Sequence, residues 1–153
     1  MKVDRTVERA VRKALAGSVA GEAERFDSAV VAIGRAGDDF LGKALDLAFK
    51  IDSAALFSIH HAHRPDDEQL RLLAEEFTRQ ESEWADVDSA TAHVLLTALA
   101  DGKSPLDVLS VADVTFAAFA IGGWLLSAFI PDDVEWTDFL DTILERLEAE
   151  PAT

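Results

Sequence analysis

His60, His61 and His63, with Asp66 and Asp67 close behind, form the densest set of potential metal ligands in the chain. Imidazole nitrogens and carboxylates bind Zn²⁺ and other divalent ions, and on a helix His60 and His63 share a face. A carboxylate from the next turn, or His93 from another helix, would complete such a site. The spacing does not match the established patterns. Neither His-Glu-x-x-His nor Glu-x-x-His occurs, and no histidine is directly followed by aspartate, so metalloprotease, di-iron and His-Asp phosphohydrolase chemistries lack their residues. A competing account treats the histidines as a last helical turn, where they suit the negative end of the helix dipole, and the acids after Pro65 as the start of the next helix. The expectation is no cofactor. The alternative is Zn²⁺ or another divalent metal on His60, His63 and His93.

Other chemistry-bearing patterns fail on single residues. Gly37-Asp38-Asp39-Phe40-Leu41-Gly42-Lys43 has the spacing of a phosphate-binding loop, but Ala44 stands where Ser or Thr must hold Mg²⁺. Asp38 and Asp39 would also place negative charge against phosphate. No Gly-x-Ser-x-Gly is present, and Ser58 and His60 are neighbours only in sequence. His93 lies beside Leu95, Leu96 and Leu99, the setting of a packing residue. With 29 acids, close carboxylate pairs arise by chance and identify nothing by count. No catalytic residue is assigned, and an enzyme is not the expected reading.

Composition narrows the class further. The 153 residues suit one domain, expected to span 1–150, and with no cysteine the chain has neither disulfides nor thiolate chemistry. Lys2, Arg5, Arg9, Arg12 and Lys13 are interrupted by Asp4 and Glu8, and no continuous apolar run follows, so no export signal is read and the cytoplasm is the expected compartment. The net charge of −15 is unevenly placed: residues 1–79 carry twelve Lys and Arg against fourteen acids, residues 80–153 two against fifteen. Such a field repels nucleic acid and anionic lipid and steers basic partners to the C-terminal half. The basic stripe on the first helix is expected to dock on the chain's own acidic body.

The elements that must position these residues are helical. Apolar positions recur at helix period throughout, and no strand series or repeat is found. Helices are expected from about Asp4 to Ala20, from Glu22 to Arg35 with Gly37 as a left-handed stop, and from an Asp38 cap to near His63. A fourth starts at Asp66 with Gln69 as a capping box, and a fifth runs from Asp88 to Asp101. Ser104-Pro105 starts a short turn, Ser110 starts the next helix, and Asp133 is expected to cap the last. The fold class is all-α, a compact bundle of six to seven helices around a central uncharged helix at about 111–130.

That central element defines the architecture. Val114 to Ile130 is seventeen residues without one charge, flanked by Asp113 and by Asp132, Asp133 and Glu135. As a helix it rises about 25 Å against a hydrocarbon core of about 30 Å, and no Lys or Arg adjoins it to set an orientation, so burial in protein is expected and not a membrane. Ala118 with Gly122, and Gly123 with Ser127, are small residues four apart that let another backbone approach closely, while Phe119 and Trp124 supply bulk. The cover is either the chain itself or a second copy across a two-fold axis, and a homodimer formed partly through this helix is the expected state. The functional expectation is a non-enzymatic interaction or regulatory module whose acidic half meets a basic protein. The alternative is a ligand- or metal-binding protein using the histidines or a pocket beside Gly122-Gly123.

Overall fold

In the computed structural model of the chain, residues 2–150 are described. Among them the order is α1 (Arg5–Ala20), α2 (Ala23–Arg35), α3 (Asp38–Ile59), α4 (Asp67–Glu81), α5 (Ser89–Ala100), a 3-10 turn (Pro105–Asp107), α6 (Val111–Ser127) and α7 (Trp136–Ala149), with no strand. No described helix is long and apolar enough to cross a membrane. The architecture is the expected all-α bundle.

Most helix starts follow from side chains that satisfy free N–H groups. Asp4 accepts from the Thr6 and Val7 amides (2.8 and 3.2 Å), and Asp88 accepts from Thr91. Asp66 and Gln69 exchange both bonds of a capping box at 2.8 Å. Ser110 accepts from the Asp113 amide and starts α6.

Several boundaries differ from the periodicity. α2 ends in a right-handed Ala36, and Gly37, at φ +110°, precedes α3 instead of stopping α2 in the left-handed conformation. Asp38 is then the first residue of α3 and not its cap. The cap position of α7 is Glu135, without a side-chain bond, so Asp133 lies outside that helix. α6 ends at Ser127, and Phe129 beyond it is 43% exposed while its ring packs edge-on against Trp124 (5.1 Å).

α6 is the hub. It packs against α1, α2, α3, α5, α7 and the 3-10 turn. Every residue from Val114 to Leu126 is buried except the half-buried Phe116. Ala118 and Phe119 are fully enclosed, and the Trp124 indole donates to Gln80 Oε1 (2.8 Å) while packing edge-on against Phe77. One chain therefore covers the uncharged helix, and the need for a second copy to do so disappears.

The two glycines explain how this is achieved. A Cβ on Gly122 would lie 2.4 Å from Asp52 Oδ1 of α3 and 2.9 Å from Leu15 Cδ2 of α1. On Gly123 it would lie 2.3 Å from Ser18 Oγ and 3.1 Å from the Leu15 carbonyl oxygen. Adjacent residues point about 100° apart on a helix, so one glycine admits α3 and the next admits α1. The space beside them is filled by Asp52, Leu15 and Ser18, which leaves no room there for the alternative of a ligand pocket. The half-buried Ser127 turns its hydroxyl back to the Gly123 carbonyl within α6 (2.7 Å).

Two residues of α1's basic stripe, Arg12 and Arg5, reach α7. Arg12 pairs with Asp141 and with Glu8, and Arg5 lies 3.8 Å from Glu148.

Alanine normally stabilises a helix interior relative to glycine by about 0.5–1 kcal/mol, whereas overpacking a filled core costs about 1–3 kcal/mol. Gly42→Ala in α3, where nothing lies within 4 Å of the new methyl, is expected to raise stability in urea denaturation. Gly122→Ala and Gly123→Ala are each expected to lower it by about 1–2 kcal/mol net, because the contact penalty exceeds the propensity gain. Equal effects at all three positions would contradict the packing described.

Candidate functional site

The histidine segment closes α3. The His60 ring donates from Nδ1 to the Leu56 carbonyl (2.8 Å), His61 adopts φ +56° and Ala62 φ +67°. The Ala62 amide bonds back to the Phe57 carbonyl (2.8 Å) and the His61 amide to that of Ser58 (3.3 Å). These are the two bonds of a Schellman motif, with His61 where glycine is usual. His63 is exposed just beyond it, and His93 is half-buried on α5. Among the described residues no group of three or more His, Asp or Glu is placed to hold a metal, so His60, His63 and His93 do not converge. Asp66 is engaged as a cap and Asp67 faces Arg64, which also holds Asp101 at the end of α5 (2.8 Å). That loop ties α3 to α5.

A groove whose charged lining is acidic alone lies elsewhere, where the starts of α5 and α6 meet the side of α2. Asp27 and Val31 of α2, Asp86, Val87, Asp88 and Thr91 around the start of α5, and Ala112, Asp113 and Phe116 of α6 line a groove of about 580 Å³. Four carboxylates and no Lys or Arg stand among these residues. Its apolar base is Val31, 39% exposed, with half-buried Val87 and Phe116, whose ring packs 6.3 Å from Phe26.

Local folding explains why the acids gather there. Asp88 must begin α5, and its carboxylate accepts the Thr91 amide at 2.7 Å. This backbone hydrogen bond is the main cause holding its proton affinity below the ordinary aspartate value of 3.8. Asp113 sits in the first turn of α6, where the exposed N–H groups favour negative charge. Among the described residues, both helix ends thus hold carboxylates that no Lys or Arg lining the groove faces. Asp27 joins them only through the fold. The sequence signals two helix starts here but not their approach to α2.

The groove contains no histidine, no nucleophile beyond Thr91, and no carboxyl in an apolar setting. Its chemistry suits a cation with an aliphatic or planar stem: the acids hold the charge and Val31, Val87 and Phe116 take the stem.

If the histidine turn is a helix cap, His61→Gly relieves the left-handed strain and raises the melting temperature, by about 1 kcal/mol of stability, and added Zn²⁺ leaves that temperature unchanged. A Zn²⁺-dependent rise that His60→Ala abolishes would contradict this. Comparison with protein-family models, with curated proteins and with solved structures finds no match for the chain.

Proposed function

We propose that this protein is a non-enzymatic interaction module that binds a basic protein partner through its acidic C-terminal half, with the α2–α5–α6 groove receiving a lysine or arginine side chain. One observation carries the reading. Of the fifteen acids in residues 80–153, all except the half-buried Glu81 are exposed, against two basic residues, Lys103 and Arg146. Arg12, Arg5 and Arg64 draw on Asp141, Glu148 and Asp101, which leaves the groove wall with acids and no cation lining it.

A field of this sign accelerates encounter with a positively charged surface, and the groove adds a shaped place for one side chain. The expectation of a homodimer rests on an uncovered α6. With that helix enclosed by one chain, its support is gone and the partner proposed is heterologous.

The test uses a short lysine- and arginine-containing peptide as the probe. Affinity is expected to fall tenfold or more between about 50 and 300 mM salt, as exposed charges are screened within about 10 Å. The double variant Asp27→Asn/Asp113→Asn is expected to weaken binding, whereas Asp138→Asn/Glu145→Gln on α7 leaves most of it intact. Binding insensitive to salt, or equal loss from both double variants, would remove the groove from the account.

A further inference from the structure

Asp52 lies on the buried face of α3, at its contact with α6 and α1. Three polar or charged side chains are buried among the described residues, Ser18, Thr115 and Asp52, and of these Asp52 alone is fully enclosed. Ser18 donates to the Ala120 carbonyl (2.8 Å) and Thr115 to the Val111 carbonyl (2.6 Å). Neither oxygen of Asp52 has a hydrogen-bond partner, although the residue is 0% exposed. Its Oδ1 is seated in the notch that Gly122 leaves in α6, with Leu15 of α1 closing the same space. A side chain of the core's own size and no charge would fill this position; the chain places an acid there and gives it no donor.

The surroundings supply no compensating charge. On α1, Arg5, Arg9 and Lys13 are exposed and Glu8 and Arg12 pair with each other at the surface. On α6 the single titratable group is Asp113, exposed and nine residues from Gly122. On α5 it is His93, half-buried; on α2 the groups are Glu24, Arg25, Asp27 and Arg35, and on α7 Asp138, Asp141, Glu145, Arg146 and Glu148, all exposed. Along α3 itself, Asp38, Asp39, Lys43, Asp46 and Lys50 are exposed. Burial alone acts on the carboxyl and raises its proton affinity well above the ordinary aspartate value of 3.8.

We propose that Asp52 is a proton-operated latch: the α1–α3–α6 junction closes over the un-ionised acid, and loss of the proton to solvent loosens α6 from α3 along the Gly122 notch. A carboxylate must be hydrated or paired, and no pair is at hand, so water has to enter between the two helices. The moving element is apolar on nearly every face, so its release uncovers Phe119 and Trp124. Because the folded-state proton affinity is raised, the stabilisation is complete below about pH 3.8 and is lost as pH rises. The equilibrium constant for opening grows by up to about tenfold per pH unit until the folded carboxyl itself ionises.

The experiment compares the full chain with Asp52→Asn in urea denaturation from about pH 5 to about pH 8, and follows acrylamide quenching of Trp124 without urea in a Trp84→Phe/Trp136→Phe background. The wild type is expected to lose stability relative to Asp52→Asn by tenfold or more in equilibrium constant over that range. Its Trp124 quenching is expected to rise with pH while that of the variant stays flat. Should Asp52→Asn fail to fold, the carboxyl carbon of Asp52 in the wild type is followed by NMR, where a signal still un-ionised above the ordinary carboxylate range and a parallel rise in quenching support the latch. Identical pH dependence in both proteins, flat quenching in the wild type, or an ordinary carboxylate titration overturns it.

Discussion

The approach of two helices to a bare stretch of α6 backbone is the constraint from which the architecture follows. Gly122 and Gly123 are neighbours in sequence and face two directions, so α3 and α1 reach the same turn of α6 from two sides. Without side chains there, the axes come close enough for Phe119, Ile121, Leu125 and Leu126 to be enclosed by a bundle of ordinary size. Interiors pack at nearly crystalline density, so this fit leaves little room for adjustment at the junction. A helix pair costs stability in its own glycines, by about 1 kcal/mol each relative to alanine, and recovers it in the apolar area buried around them.

Electrostatics divides along the same lines. Inside, one carboxyl at the junction has neither donor nor counter-charge. Outside, acids that begin helices are held ionised by backbone amides, as at Asp4 and Asp88, where hydrogen bonds from the backbone lower the proton affinity. Those caps are stabilising above pH 3.8 and weaken as the pH falls toward their depressed folded values, the reverse of the trend at Asp52. Capping accounts for one acid of the groove, Asp88, and the first turn of α6 for Asp113; the fold brings both against α2, which adds Asp27.

Helical periodicity and capping residues made most of the fold legible in the sequence. The stripes Val7, Val11, Ala14 and Leu15 of α1 and Leu140, Ile143 and Leu147 of α7 are buried as their spacing requires, and the Asp66/Gln69 box is formed. Boundaries were less legible where backbone bonds, not side chains, decide them, as at Ala36 and Glu135. The role of Gly122-Gly123 in close packing could be read from residue size, but the sequence could not tell a neighbouring helix from a second molecule. Asp52 could be read only as an irregularity in α3, a candidate kink at Asp52-Ser53; its spacing, four after Ala48 and three before Ala55, puts it on the buried face, but the sequence could not show that no donor meets it there. Nor could spacing show that His61 occupies a left-handed cap, because histidine there depends on the turn that follows α3.

Native-state hydrogen exchange of the amides from Phe119 to Leu126 tests most directly whether one chain encloses α6. The account predicts that these amides exchange among the slowest in the molecule, at rates that do not change when the protein is diluted a hundredfold. Rapid exchange, or protection that falls on dilution as a dissociating dimer requires, would contradict it.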